Sequence, residues 1–229
     1  MENTIFLGYY LNITRHLPIT FQYQISASNI NFMLTVITGP MFSGKSIELI
    51  RRINRERVAG KRVCVIKFGE DDRYSKEHLA SYDGYRSGAI SATTTPDIIE
   101  RGDPLAEVIV IDEVQFFDDA IIDWIMEQVA GGRKIICAGL NLDFRGEPFP
   151  FGYGSVRTMA DLIVRADNIL KLSSICTFRD TKGVICGVEA TRTQRLKNNE
   201  PANWNEPTKQ IGAQESYEAR CVEHHFVPR

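Results

Sequence analysis

The chain has 229 residues, of which 43% are hydrophobic and 24% charged, and its formal net charge is −2. This size and composition are typical of one substantial globular domain, with room for a small additional lobe. The slight acidic excess disfavours a protein whose main task is to bind a nucleic-acid backbone, since that task needs a basic surface. No apolar run reaches the ~18 residues of a transmembrane helix, so we expect no membrane insertion.

Residues 1–32 differ from the rest of the chain, because they carry few charges and many Asn, Thr, Tyr and Ile side chains. They lack the basic start and apolar block of a secretory signal and the arginine content of a transit peptide. Met33 stands directly before the first clear strand pattern. We therefore expect residues 1–32 to be a dispensable or disordered extension of a cytoplasmic protein. An organelle-targeting role is the alternative.

Five short, almost continuously apolar runs predict strands that are covered on both faces. In chain order they are 34–38, 62–68, 106–112, 134–140 and 168–172. Apolar residues at helical spacing predict helices at 46–58, 118–130 and 155–165. Because strands and helices alternate, the pattern predicts an α/β fold with a parallel sheet and helices on both of its faces.

The strand and helix pattern ends near residue 173 and gives way to short polar segments. We therefore expect a main domain at 33–172 and a small lobe at 173–229. Cys64 and Cys137 lie inside apolar runs, where cysteine is usually a small buried side chain. The other three cysteines lie in the small lobe, and without an export signal metal binding explains them better than disulfides.

A glycine-rich turn follows the first predicted strand and precedes the first predicted helix. Its sequence, GPMFSGKS, fits the phosphate-binding pattern G-x-x-x-x-G-K-[ST]. In such a loop the backbone N–H groups hold phosphate oxygens, the lysine reaches the β- and γ-phosphates, and the last hydroxyl is a Mg²⁺ ligand. A chance match is the alternative. The residues expected to bind the triphosphate of a nucleotide here are Gly39, Pro40, Met41, Phe42, Ser43, Gly44, Lys45 and Ser46.

A second motif, VIVIDEVQFF at 108–117, ends a predicted buried strand with two acids. Asp112 stands where a Mg²⁺-linked carboxylate belongs, at the end of a parallel strand beside the phosphate loop. Glu113 is a candidate base, and Gln115 is expected to contribute to the nucleotide site. A pair of acids that only caps the next helix is the alternative. Together the two motifs predict phosphoryl transfer or nucleotide hydrolysis.

Six motifs occur in the order and approximate spacing of the type II thymidine kinases. They are TGPMFSGKS, DDRYS (71–75), DEVQFF (112–117), DFRGEPF (143–149), EATRTQRL (189–196) and IGAQESYEARC (211–221). The chain resembles this family from Met33 to Phe226. The resemblance implies a RecA-like P-loop fold with a zinc-binding lasso lobe. It further implies transfer of the ATP γ-phosphate to the 5′-hydroxyl of thymidine in deoxynucleotide salvage, a homotetramer, and feedback inhibition by dTTP.

The resemblance also implies roles for particular side chains around the transferred phosphate. Glu113 matches the base that takes the proton of the 5′-hydroxyl. Arg73 matches an arginine whose charge offsets the negative charge that develops during transfer. Asp71 matches an acid that serves metal or water, and its neighbour Asp72 is an alternative for that role. A Glu113 that only orders Mg²⁺, and an Arg73 that is an ordinary surface residue, are the alternatives.

Thymine needs a flat apolar slot, and several residues match the walls of the family's nucleoside pocket. Phe116 is the expected stacking ring, although side chains of this kind are more often ordinary core. Met41 matches a residue near the methyl group of the base, and three further positions map to the lasso loop, whose main chain binds thymine in the family. The expected substrate-binding residues are Met41, Phe116, Leu140, Phe144, Phe149, Thr193, Gly212 and Tyr217.

Members of the family hold the small lobe with one zinc on two closely spaced ligand pairs. The C-terminal pair is intact as Cys221 and His224, whereas Cys176 lacks a partner at the usual spacing and the next thiol is Cys186. Three thiolates and one imidazole still make a sound structural zinc site. We therefore expect Zn²⁺ on Cys176, Cys186, Cys221 and His224. His225 is the alternative nitrogen ligand, and a metal-free lobe with reduced thiols is the alternative state.

Three other functions are compatible with a phosphate loop. A nucleic-acid-dependent ATPase with a zinc-ribbon lobe needs a basic surface and a longer chain. A GTPase switch needs a guanine-reading N/T-K-x-D motif after a strand, and AGLNLD (138–143) does not supply one. A non-catalytic nucleotide sensor does not need the intact set of Lys45, Asp112 and Glu113. We therefore expect a thymidine kinase without a nucleic-acid or membrane partner.

Overall fold

The computed structural model describes residues 33–69, 89–152, 155–208 and 215–229, with side chains from 217 onward in the last range. The expectation for residues 1–32 lies outside the described part of the chain. Within these ranges the main sheet consists of β1 (Met33–Thr38), β2 (Val63–Phe68), β3 (Ile90–Ala92), β4 (Val108–Asp112), β5 (Lys134–Gly139) and β6 (Asn168–Lys171). Their order across the sheet is β3-β2-β4-β5-β1-β6, and all neighbours pair in parallel.

Helices lie on both faces of this sheet, as the sequence predicts. They are α1 (Lys45–Val58), α2 (Thr95–Arg101), α3 (Ala120–Ala130) and α4 (Met159–Ile163). Since successive side chains of a strand point to opposite faces, Leu34 and Val36 of β1 pack in the core that includes buried residues of α2, α3 and α4. Ile37 packs on the other face, against Leu49 and Ile53 of α1. Both faces of the central strands β1, β4 and β5 are thereby removed from water, which explains their apolar character. The prediction that the run 168–172 is covered on both faces is wrong, because β6 is an edge strand and three of its four residues are exposed.

Two differences from the prediction have a local cause. Strand β3 and helix α2 are additional to the predicted elements, since a three-residue strand and a seven-residue helix are too short to show a clear period. Helix α4 is shorter than the predicted 155–165. It begins only after Thr158, whose backbone N–H donates to the Asp161 carboxylate (2.8 Å) and so marks the helix start.

The C-terminal part of the chain forms two small antiparallel sheets. Their strands are β7 (Ser174–Ile175), β8 (Glu189–Ala190), β9 (Arg192–Lys197), β10 (Glu200–Pro201) and β11 (Glu215–Arg220). Strands β7 and β8 pair with each other, and β9 lies between β10 and β11. The domain boundary at 172/173 stays a prediction. Among the described residues, no helix has the length and apolar content to cross a lipid bilayer.

Candidate active site and metal centre

The phosphate loop connects the end of β1 to the start of α1, and glycine is required at two of its positions. Gly39 has φ +151°, and a Cβ there would lie 2.3 Å from the carbonyl oxygen of Leu172. Gly44 is the N-cap of α1 in a left-handed conformation with φ 83°. Because L-residues rarely adopt these angles, the two glycines fix the loop so that it leads directly into the helix.

Lys45 and Ser46 occupy the first turn of α1, where the predicted roles place them. The Lys45 side chain is buried, and its Nζ donates to the carbonyl oxygens of Gly39 (3.2 Å) and Pro40 (2.7 Å). Burial lowers the pKa of Lys45, while the nearby charges of Glu113 and Asp112 oppose this shift. Ser46 is exposed at the same end of the helix. The lysine therefore lies within electrostatic range of both predicted acids.

Asp112 is the last residue of β4 and Glu113 follows it, at the carboxyl edge of the sheet next to β5. Burial raises the pKa of Asp112 to about 6, and the adjacent charge of Glu113 adds to this shift. The carboxylate of Asp112 accepts a hydrogen bond from the backbone N–H of Glu113 (3.0 Å). Glu113 itself has φ 52° and ψ 43°, a left-handed conformation that costs about 1–3 kcal/mol in a residue other than glycine. The chain therefore turns sharply at the position predicted to be the base.

Gln115 lies in the short 3-10 helix Val114–Phe116 and its side chain is completely buried. Its Nε2 donates to Oε2 of Glu113 (2.6 Å), and its Oε1 accepts from the backbone N–H of Leu140 (3.2 Å). The amide group thus bridges the candidate base and the residue after β5. The predicted contact of Gln115 with the nucleotide stays a prediction.

Three of the predicted pocket walls lie together. The rings of Phe116 and Phe149 meet edge to face with centroids 5.6 Å apart, and Leu140 and Phe116 both pack against the same core cluster. Phe144 is buried in a different setting, with the guanidinium groups of Arg145 and Arg195 4.7 and 5.1 Å from its ring centroid. The structure therefore places Phe144 in a cation–π stack.

The phosphate loop is joined directly to the C-terminal strands. The backbone N–H of Met41 donates to the hydroxyl oxygen of Thr193, a buried residue of β9 (3.0 Å). In the antiparallel pairing of β9 with β11, Thr193 is opposite Ala219 and Arg195 is opposite Tyr217. Because alternate residues of a strand point to the same face, Thr193 and Tyr217 lie on one face of this strand pair. The predicted site residues Asp71, Arg73 and Gly212 lie outside the described residues.

Sequence reasoning did not single out two arginines that hold the segment before residue 209. Arg145 donates to the carbonyl oxygens of Trp204 (2.7 Å) and Glu206 (2.5 Å) and to the Thr208 hydroxyl (2.7 Å). Arg195, which is fully buried, donates to the carbonyl oxygen of Pro207 (2.5 Å). Both arginines belong to motifs that carry the family resemblance, DFRGEPF and EATRTQRL, but the motifs do not indicate these partners.

The predicted metal ligands converge in the C-terminal part of the chain. The ligand atoms of Cys176, Cys186, Cys221 and His224 all lie within 4.8 Å of one another. His224 Nδ1 is 3.3 Å from the sulfur of Cys221 and 3.7 Å from that of Cys176. His225, the alternative ligand, is engaged elsewhere, since its Nε2 lies 2.9 Å from the carbonyl oxygen of Phe144.

A hairpin brings Cys186 back to Cys176 despite their wide spacing in sequence. The Cys186 N–H donates to the carbonyl oxygen of Phe178 (2.8 Å), and the N–H of Gly187 donates to that of Cys176 (3.1 Å). The Phe178 ring stacks on the His224 imidazole with centroids 4.1 Å apart. Burial opposes ionisation of Cys176, but hydrogen bonds from the backbone N–H groups of Cys221 and Phe178 lower its pKa to about 7. This donor set fits a tetrahedral structural zinc site.

Comparison with known proteins agrees with the site. The family model described as thymidine kinase matches residues 32–225. The thymidine kinase of Thermococcus kodakarensis is 43% identical over 200 residues, covering 85% of this chain and 94% of the relative. That of Deinococcus deserti is 44% identical over 206 residues, covering 86% and 95%. Among solved structures, the flagellar accessory protein FlaH of Methanocaldococcus jannaschii has a TM-score of 0.46 at 13% identity, over 64% of this chain and 73% of that one.

Three features together define a P-loop nucleotide-binding protein. They are the phosphate loop with its two required glycines, the buried lysine in the first turn of the following helix, and the acids at the end of a strand at the carboxyl edge of a parallel sheet. The predicted fold class is therefore confirmed. Within this class the chain belongs to the thymidine kinase family. The resemblance read from the six motifs is confirmed, and the alternative of a nucleic-acid-dependent ATPase is not favoured.

Proposed function

We propose that this protein is a thymidine kinase that transfers the γ-phosphate of ATP to the 5′-hydroxyl of thymidine, giving TMP and ADP. One observation carries the proposal, namely that the phosphate loop with Lys45 follows β1 and the acid pair Asp112 and Glu113 stands at the end of β4, both at the carboxyl edge of the same parallel sheet. A cation for the donor phosphates and a carboxylate for the acceptor hydroxyl therefore share one edge of the sheet. Family membership supplies the identity of the acceptor.

In the proposed reaction the amide groups of the phosphate loop hold the triphosphate, and Lys45 contacts the β- and γ-phosphates. The carboxylate of Asp112 and the hydroxyl of Ser46 would hold Mg²⁺, which neutralises phosphate charge when bound. The 5′-oxygen of thymidine forms a bond to the γ-phosphorus as the bond to the bridging oxygen breaks, and ADP leaves with that electron pair. Glu113 takes the hydroxyl proton, and Arg73 stabilises the charge on the transferred group.

For the nucleoside we propose a pocket beside this edge. Phe116, Leu140 and Phe149 supply an apolar wall, which is supported by their shared packing. Met41 and Thr193 lie next to each other through the hydrogen bond between the phosphate loop and β9. The remaining proposed contacts are Phe144, Gly212 and Tyr217.

The small lobe is proposed to hold one structural Zn²⁺ on Cys176, Cys186, Cys221 and His224, because four ligands close the coordination sphere and leave no position for a substrate. Further proposals follow from family membership alone. They are a homotetramer, feedback inhibition by dTTP, a cytoplasmic location, and a role in deoxynucleotide salvage without a nucleic-acid partner.

The decisive experiment measures ADP and TMP formation by the full-length protein with ATP, Mg²⁺ and, in separate reactions, thymidine, other nucleosides, RNA and DNA. We expect TMP to form with thymidine and ADP to form in equal amount. ADP formation with RNA or DNA, without any with thymidine, would contradict the proposal.

The assignment of the base is tested by replacing Glu113 with glutamine, which keeps the shape of the side chain and removes its ability to accept the proton. We expect Glu113→Gln to lower kcat by ~10²-fold or more and to leave ATP binding nearly unchanged. The matched control is Glu127→Gln, at an exposed position of α3, which should retain wild-type kcat. Wild-type turnover in Glu113→Gln would remove Glu113 from this role.

A further inference from the structure

Gln115 makes two hydrogen bonds that connect the candidate base to a different strand. One links its Nε2 to Oε2 of Glu113 at 2.6 Å, and the other links its Oε1 to the backbone N–H of Leu140 at 3.2 Å. The side chain is 0% exposed. Because these bonds are shielded from water, each has a firm geometry and breaking either is costly.

The backbone determines which way the amide of Gln115 faces. The N–H of Leu140 can only donate, so the amide oxygen must lie on its side and the NH₂ group must lie toward Glu113. Gly139 provides the space for this arrangement, since a Cβ at that position would be 2.3 Å from Oε1 of Gln115. Thr38, the last residue of β1, donates through its hydroxyl to the carbonyl oxygen of Gly139 (3.1 Å). The amide is therefore held between the two strands β4 and β5.

The backbone at Glu113 makes such a support necessary. The left-handed backbone conformation of Glu113 is unfavourable for a residue with a Cβ. The side chain of Glu113 is flexible and can adopt several rotamers, each of which places the carboxylate differently. A donor fixed by β5 selects one of these rotamers. The bond engages Oε2, so Oε1 is the oxygen we assign to the substrate hydroxyl.

We propose that Gln115 is a positioning residue that holds the carboxylate of Glu113 in the orientation needed to accept the 5′-hydroxyl proton. This inference rests on the proposed role of Glu113 and assigns Gln115 a task different from nucleotide binding. Loss of the support lets the carboxylate move by an ångström or more, and a misplacement of that size can cost ~10²-fold in rate. It leaves the phosphate loop and the apolar wall of the pocket in place.

Two substitutions test whether Gln115 positions the Glu113 carboxylate or only accepts the hydrogen bond of the Leu140 N–H. Gln115→Glu keeps the size of the side chain and the acceptor for Leu140. Because two adjacent carboxyl groups share one proton at lower pH, this variant and the wild type are compared at a pH where both carboxyl groups are ionised and Glu113 has no donor. Gln115→Met removes both hydrogen bonds. We expect both variants to lose at least ~10-fold in kcat, with KM values for ATP and thymidine within ~3-fold of wild type, because an interaction used mainly in the transition state is removed. Gln128→Met on α3, which removes the acceptor of a hydrogen bond from Arg133, is the matched control and should retain wild-type kcat.

The decisive arm is a double-mutant cycle of Gln115→Met with Glu113→Gln. If Gln115 acts through Glu113, its loss lowers kcat by less than ~2-fold once Glu113 is already glutamine. A loss as large as in the wild-type background overturns the proposal, and so does a Gln115→Glu variant with wild-type kcat. If Gln115→Met does not fold, the same cycle is measured with Gln115→Glu. A Glu113→Gln variant that is itself fully active would instead refute the proposed base, so the two failures are distinguishable.

Discussion

Replacing Gly139 by alanine tests the packing behind the candidate base with the addition of one methyl group. The new Cβ would lie 2.3 Å from Oε1 of Gln115 and 3.1 Å from a methyl carbon of Val114. An ordinary contact needs about 3.4 Å, so the amide of Gln115 must retreat by about 1 Å. Since its bond to the Leu140 N–H already spans 3.2 Å, that bond breaks.

Overpacking of this kind costs typically 1–3 kcal/mol, and the lost hydrogen bond adds about 1 kcal/mol. We therefore expect Gly139→Ala to lower the free energy of unfolding by about 2–4 kcal/mol. The sign is informative, because alanine in place of glycine at a compatible strand position stabilises by about 0.4–1 kcal/mol through the unfolded chain. Because Gln115 also donates a hydrogen bond to the carboxylate of Glu113, its displacement should misplace that carboxylate and lower kcat by ~10-fold or more.

Urea unfolding and steady-state kinetics measure the two effects separately. The matched control is Gly131→Ala at the end of α3, where φ is −75° and the nearest atoms to an added Cβ are 3.3 and 3.4 Å away. That variant should stay within about 0.5 kcal/mol of wild type with unchanged kcat. If Gly139→Ala behaves like this control in both measurements, the packing argument and the support of Glu113 by Gln115 are wrong.

Further predictions concern the pH dependence of the Asp97 carboxylate at the start of α2, the proposed zinc ligands, and the hydrogen bond between the phosphate loop and β9. Hydrogen bonds from the backbone and hydroxyl of Thr93 lower the pKa of Asp97 to about 2, so its stabilising effect is present above about pH 4 and is lost as the pH falls toward 2. Asp97→Asn should accordingly lower Tm by at most a few degrees at pH 7, and the difference from wild type should vanish near pH 2; a constant difference would contradict this. Cys221→Ser should reduce bound zinc from about one ion per chain to nearly none, lower Tm and raise the KM for thymidine, and a variant with full zinc content by elemental analysis would refute the assigned ligand set. Thr193→Val removes the acceptor for the Met41 N–H at nearly constant volume and should raise the KM for thymidine by ~3-fold or more, whereas Thr193→Ser should not; equal KM values in both variants would show that the hydroxyl is not used.

The parts of the structure that the sequence predicts are those determined by local pattern. The runs around Val110 and Ile136 are apolar because both faces of their strands are buried, so pattern alone reveals the parallel sheet. The phosphate loop is recognised in the same way, because its motif lies within eight consecutive residues. The close approach of Leu172 to Gly39 is a distant contact that the motif does not indicate.

What the sequence does not predict depends on residues that meet only after folding. The bridging task of Gln115 requires Leu140 and the open space at Gly139, both of which arrive on a later strand. The start of α4 is set by hydrogen bonds of Thr158 to the Asp161 carboxylate and of the Met159 N–H to the carbonyl oxygen of Phe149, which outweigh the helical spacing of the residues before it. Two of the partners of Arg145 are the carbonyl oxygens of Trp204 and Glu206, about 60 positions away, and a contact with a backbone oxygen does not depend on the type of side chain, so no sequence motif indicates it.

The attachment of Arg145 and Arg195 to residues 204–208 has a consequence for how this end of the molecule comes apart. These arginines bind carbonyl oxygens through guanidinium groups that stack on Phe144, and none of these contacts involves the cysteine cluster. If zinc is bound at the cysteine cluster as proposed, we expect chelation to remove the metal while the hydrogen bonds of Arg145 and Arg195 still hold residues 204–208. Metal release measured in a chelator titration should then precede the loss of these contacts.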